Sequence, residues 1–123
     1  MSARRTRPED IEAEILLAFS HPLRIRILRS LLESGCCQCE LASRLHEHPV
    51  NVSRHLSILV RSGLLRVRKE GTKIYPEIVH REIAKILGLT HEIVRRTAST
   101  RVEEARSLQH VTSPRRTEER RTT

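Results

Sequence analysis

The sequence predicts a mostly α-helical domain that carries one small β-hairpin. Three observations lead there. Apolar residues recur at helical spacing through most of the chain. Proline and glycine divide it into short segments. Only the stretch from Leu65 to Ile78 alternates as paired strands do.

Each element follows in order. Residues 1–7 read as a basic arm. Pro8 suits the first turn of a helix, with Glu9 and Asp10 at its positive end, and that helix is expected to run to Phe19. Ser20-His21-Pro22 breaks the chain and restarts it. From Pro22 to Glu33, Leu23, Ile27, Leu28, Leu31 and Leu32 form an apolar stripe, with Arg24, Arg26 and Arg29 outside it, either toward DNA or on a plain solvated face. Gly35 after Ser34 suits a left-handed cap. A short helix is expected over Cys37–Leu45, then a polar turn at His46-Glu47-His48, and Pro49 opens the next helix. There Val52, Leu56, Leu59 and Val60 make the core stripe and Gly63 the cap. Leu65 and Val67 alternate with Arg66 and Arg68, and Glu70-Gly71-Thr72 turns the chain into a returning strand, Lys73 to Ile78. Pro76 is tolerated there because a two-stranded hairpin has only edges. Ile83, Ile86, Leu87, Val94, Ala98, Val102 and Ala105 mark a last helix from His80 to about Gln109, with Gly88 a place where it can kink. Residues 8–110 are thus expected as one domain, and 111–123 as a disordered charged tail.

Two short helices joined by a tight turn, followed by a basic hairpin, make a winged helix-turn-helix. Composition agrees. The net charge is +8, which favours a polyanionic partner. One Phe, one Tyr and no Trp leave no platforms for stacking single-stranded bases, so duplex DNA read by a helix fits better. No segment approaches the length of a membrane span, and the N-terminus lacks the apolar stretch of a signal peptide, so a cytoplasmic location without membrane contact is expected. No nucleophile–base set, phosphate loop or cofactor motif points to an enzyme.

The DNA-reading surface follows from this order of elements. Asn51 can pair with adenine and Arg54 with guanine in the major groove. Ser53 is placed as a phosphate or capping contact, and His55 either on DNA or against the wing. Arg66, Arg68, Lys69 and Lys73 line the wing and are expected on phosphates.

The residues LAFSHPLRIRILRSLL, CQCELASRL and VSRHLSILVRSGLLRVRKEGTKIY resemble those of the ArsR/SmtB family of metal- and metalloid-responsive repressors. The resemblance covers Leu17 to Ile78. It implies a homodimer formed mainly by the first and last helices, which flank the reading head. It also implies a partly palindromic operator, repression, and release when an inducer binds.

Three cysteines stand within four positions, Cys36, Cys37 and Cys39. In a reducing compartment such a cluster suggests metal or redox chemistry rather than a disulfide framework. Cys37-Gln38-Cys39-Glu40-Leu41 matches the family's arsenic and cadmium sensors, which makes As(III) or Sb(III) the leading inducer class and Cd(II) or Zn(II) the next. None is expected to be needed for folding. Trivalent arsenic favours three sulfurs, and soft cations favour sulfur too, so Cys36, Cys37 and Cys39 are the candidate ligands. Residues two apart on an ideal helix point to nearly opposite sides. Joint ligation by Cys37 and Cys39 is therefore expected to distort the first turn. A thiol-redox or reactive-sulfur switch on the same fold is the rival, and a non-sensing architectural DNA-binding protein stands outside regulation. His80, Glu82 and His91 do not complete the family's zinc site, because Ile93 and Arg96 occupy its other two positions.

Overall fold

The structure, a computed structural model, describes residues 5–122, with side chains to Leu108. Residues 1–4 of the expected arm and the side chains of the expected tail, 111–123, lie outside the described residues. The chain divides into two compact units, Met1–Leu87 and Gly88–Thr123.

The first unit contains α1 (Pro8–Phe19), α2 (Pro22–Glu33), α3 (Gln38–Leu45), α4 (Pro49–Arg61), β1 (Leu65–Glu70), β2 (Lys73–Ile78) and the start of α5 (Glu82–Thr122). Ile27, Leu28, Leu41, Val52, Leu59, Leu65 and Ile83 are its most deeply buried side chains. They come from five of the elements, so the reading head is one packed body. Truncating Leu59 to Ala would cost about 2–5 kcal/mol.

The helix starts use unusual caps. His21 and His48 each precede a proline at the first helical position. Each presents Nδ1 to the backbone N–H two residues on, His21 to Leu23 at 3.0 Å and His48 to Val50 at 3.1 Å. An imidazole nitrogen here does what a Ser or Asp oxygen normally does at an N-cap. α1 begins differently: the Arg7 backbone N–H donates to Asp10 at 2.9 Å.

The helix ends also depart from expectation in one place. Gly63 takes φ +85, with its N–H on the Val60 carbonyl and that of Leu64 on the Leu59 carbonyl, a Schellman closure. α3 closes the same way on a non-glycine residue, His46, at φ 54. The expected left-handed cap at Gly35 does not form. Ser34 is extended instead, and the carbonyl of Ser34 accepts from Arg44 Nη1 at 2.9 Å.

The hairpin is antiparallel, with Leu65 opposite Ile78 and Glu70 opposite Lys73. Gly71 at φ +61 occupies the first loop position, as a II′ turn requires. Leu65 is buried but Val67 is 44% exposed. The alternation predicted a second inward position on β1; on β1 only Leu65 is buried, and on β2 it is Pro76, opposite Val67, that is buried.

The second unit consists of α5 beyond Leu87. Leu89, Ile93, Val94, Val102 and Leu108 are exposed on it. In the first unit, Ile11, Leu16 and Leu17 of α1 are exposed as well.

Candidate nucleic-acid interface and thiol site

The reading surface starts from α4. Its buried stripe, Val52, Leu56 and Leu59, fixes which side faces outward. Val50, Asn51, Ser53, Arg54 and Ser57 are exposed on the other side. Val50 and Ser57 were missed by the sequence reading, although the same helical spacing that found Arg54 points to both. Gln38, Pro49, Val50, Ser53 and Arg54 line one shallow groove, so the first residue of α3 shares a surface with the start of α4.

His55 is half-buried and turned away from that groove. Its ring lies 4.2 Å from the His21 ring, and Arg24 Nη1 donates to its Nδ1 at 3.1 Å. It packs toward α2, not against the wing. A guanidinium can only donate, so His55 Nδ1 must be unprotonated. Burial first, then His21, Arg24 and Arg54, hold the His55 pKa below its ordinary 6.5, with Glu47 opposing weakly.

Arg24 and Arg26 are not a solvated face. Arg24 also donates to the carbonyls at the end of α1, to Ala18 at 2.8 Å and to Leu17 at 3.1 Å, the latter also accepting from the Ser20 N–H and hydroxyl. Arg26 holds the Leu45 carbonyl at 2.6 Å and Glu47 at 3.2 Å. Arg29 is exposed.

On the wing, Arg66, Arg68, Lys69 and Lys73 are all exposed. Arg66 and Arg68 both pair with Glu77, at 3.1 and 3.2 Å. Arg68 also pairs with Glu70, and its guanidinium lies 4.7 Å from the Tyr75 ring centre. Glu77 is the residue that sequence reasoning overlooked. Its register opposite Arg66 was the available signal. Arg68, and next Arg66, hold its carboxyl below the usual 4.5.

The cysteines separate. Cys36 is buried within the hydrophobic core, and burial pushes its thiol up from 9.0. Cys37 and Cys39 have their sulfurs 3.1 Å apart. The helix is not distorted to bring them together. Cys37 is the N-cap of α3, with extended backbone at φ −74 and ψ 162, so it stands outside the helix that the sequence reading began with it. The rule that places residues two apart on opposite sides does not apply across a cap.

The Cys39 thiol, and next the Glu40 backbone N–H, lower the Cys37 pKa, with help from Lys73 of the wing. Cys39 moves the opposite way, raised by its contact with the Cys37 sulfur and next by burial. The two thiols thus shift in opposite directions. Among the described residues no three His, Cys, Asp or Glu side chains come together as a metal site. His80 and His91 are exposed, and His48 is engaged as a cap.

A basic winged helix-turn-helix with its reading helix outward defines a DNA-binding protein. Residues 21–67 match the family described as bacterial regulatory protein, arsR family. A Methanocaldococcus jannaschii protein named as an uncharacterized HTH-type transcriptional regulator is 38% identical over 82 residues, covering 66% of this chain and 92% of that one. The crystal structure of Mycobacterium tuberculosis Rv0081 superposes with TM-score 0.69 at 31% identity, covering 79% and 99%. The M. tuberculosis HTH-type transcriptional repressor SmtB is 33% identical over 78 residues, 63% of this chain and 58% of its own. The chain belongs to the ArsR/SmtB family of transcriptional regulators. Among the described residues, no helix is long and apolar enough to cross a membrane.

Proposed function

We propose that the protein is a homodimeric repressor that leaves its operator when a thiophilic inducer binds Cys37 and Cys39. One observation carries this reading. The two sulfurs meet at 3.1 Å around Gln38, and Gln38 lines the groove that also contains Val50, Ser53 and Arg54. A ligand that bridges the two sulfurs must set the backbone of the residue between them. That residue adjoins the side chains placed to enter the major groove. A differential fit of the inducer to the two arrangements then becomes a loss of DNA affinity.

Arsenic(III) or antimony(III) suits the sulfur pair best, and Cd(II) or Zn(II) can take the same donors. Cys36 was counted as the third ligand from sequence. The sulfurs that meet are those of Cys37 and Cys39, which argues for a pair instead.

The reading surface divides by role. Asn51 and Arg54 offer hydrogen bonds to base edges, and Val50 an apolar contact for a thymine methyl. Ser53, Lys69 and Lys73 serve phosphates, as do Arg66 and Arg68 once they exchange Glu77 for DNA. The His55 ring serves position rather than contact. Exposed apolar side chains on α1 and on α5 beyond Leu87 supply dimer surfaces, and a dimer calls for a palindromic site.

The redox rival is favoured by the same 3.1 Å approach, since an oxidant can join these sulfurs with little movement. Titration of the reduced protein on its operator separates the readings. Release by arsenite or Cd(II) under reductant supports the inducer reading. Release only by oxidant, reversed by a thiol reductant, supports the rival. Operator binding that no such reagent alters would contradict both.

A further inference from the structure

We infer that Arg24 and His55 form a proton-sensitive latch on the reading helix. Arg24 holds α4 in place through the unprotonated His55 Nδ1, and a proton taken up there weakens operator binding while leaving non-specific DNA binding intact. The inference rests on α4 as the DNA-reading helix and is independent of the cysteines.

One guanidinium ties two elements together. Arg24, near the start of α2, donates to the Ala18 and Leu17 carbonyls at the end of α1 and to His55 Nδ1 on α4 at 3.1 Å. Asn51 and Arg54 are exposed on α4, and Arg54 is the chain neighbour of His55. The bridge therefore fixes the reading side chains relative to α1, whose exposed Ile11, Leu16 and Leu17 offer a dimer surface. In a dimer that relation sets the spacing of the two reading helices, and half-site spacing is what a specific operator tests.

A proton is the ligand this site can take. His21 Nδ1 accepts from the Leu23 N–H at 3.0 Å, and its ring centre lies 4.2 Å from that of His55. Both rings use Nδ1 as an acceptor, so in the neutral rings each Nε2 carries the proton. In this arrangement no ring nitrogen is free to ligate a metal. Facing the His55 ring are His21 ahead of α2, Arg24 on α2, Glu47 in the turn after α3, and Arg54 on α4 itself. Charged side chains of α3 and β1 are engaged elsewhere, Arg44 with Glu40, and Arg66 and Arg68 with Glu77. A proton on Nδ1 turns the acceptor into a donor aimed at a guanidinium that can only donate. The bond is lost and two cations face each other. Arg24 keeps its α1 carbonyls, while α4 loses its tie. The added charge itself attracts phosphate, so the loss falls on sequence-specific geometry.

The full-length reduced protein, without inducer, is titrated with an operator chosen by binding-site selection and with a random duplex. Burial and these neighbours hold the His55 pKa below 6.5, so the series runs at constant salt from about pH 7.5 to 5. Operator affinity of the parent is expected to fall with pH, by up to about tenfold per pH unit for each proton taken up. Affinity for the random duplex should hold or rise. His55→Asn keeps an acceptor near the Nδ1 position and cannot titrate, so its operator profile should be flatter. His21→Asn keeps a capping acceptor and should retain the parent's profile. The parent alone gives a second readout. Followed by NMR, the His55 ring should take up its proton at lower pH on the operator than in the free protein, although nearby phosphates by themselves would move it the other way.

Parallel profiles for operator and random duplex would overturn the latch and leave α4 as the reading helix. So would an operator profile unchanged in His55→Asn, one abolished by His21→Asn instead, or a His55 proton taken up at higher pH on the operator. A protein that selects no sequence at any pH would overturn the reading of α4 itself.

Discussion

Arg54 and Arg24 look alike in the sequence and do different work in the structure. Arg54 is exposed on α4 beside Val50 and Ser53. Arg54→Ala is expected to cost about 1–3 kcal/mol on the preferred operator and to relax sequence preference. A binding-site selection with the variant checks this, and an unchanged preference would move base reading elsewhere. Arg24 instead ties the end of α1 to His55 on α4 through three hydrogen bonds. That bond to His55 needs an unprotonated nitrogen, and the His55 pKa is depressed in the fold. The unfolded chain therefore binds the proton more readily. The stability it contributes is fully present above the ordinary value of 6.5 and is lost as pH falls through the lower folded value. Thermal melts between about pH 7.5 and 5 are expected to fall more steeply for the parent than for His55→Gln. Equal slopes would show that His55 does not link to stability. The sequence made Arg54 legible through helical spacing. It hid Arg24 and the His21 and His48 caps, because a carbonyl 6 residues away and an imidazole acting as a cap leave no pattern in a one-dimensional string.

Two elements, the wing and α3, decide how strongly and how conditionally the head binds. The wing carries four cations, but Glu77 holds two of them. Glu77→Gln is expected to free Arg66 for phosphates and to leave Arg68 with Glu70 as its remaining acidic partner. Binding should then tighten for all sequences at low salt, and log K against log salt should steepen by about 0.9 for each freed Arg66. Fluorescence anisotropy over a salt series measures both. Weaker binding in the variant would show that Glu77 orients these arginines for DNA rather than competing with it. The hairpin itself was readable, down to Gly71 in its turn, because alternation and turn chemistry are local signals. The cross-strand Glu77 pairs were open to reading once a register was assumed. α3 was readable in extent except for its first residue, and that one residue matters most. With Cys37 inside the helix the two sulfurs diverge; with Cys37 as the cap they meet. Helix boundaries are where sequence signals are weakest, since the cap here is a cysteine and not one of the usual oxygen-bearing residues.

The whole molecule joins a legible fold to a site whose chemistry lies in its details. Order of elements, net charge and the buried stripes all follow from periodicity and composition. The division after Leu87 does not, because the apolar spacing continues through Gly88 without a break. The apolar side chains left exposed on α1 and on α5 beyond Leu87 are expected to be covered in a homodimer. Sedimentation at micromolar concentration should show the dimer, and Leu16→Glu with Leu17→Glu should shift it to monomer and weaken operator binding. A parent that sediments only as monomer would contradict this. The central claim is that the Cys37–Cys39 pair is a switch and not part of the DNA grip. The most direct measurement follows operator anisotropy for Cys37→Ser/Cys39→Ser alongside the parent as a thiophilic reagent is added under reductant. The account predicts that the double variant binds the operator as the parent does and stays bound throughout, while the parent is released. Release of the double variant at the same concentration as the parent would contradict it.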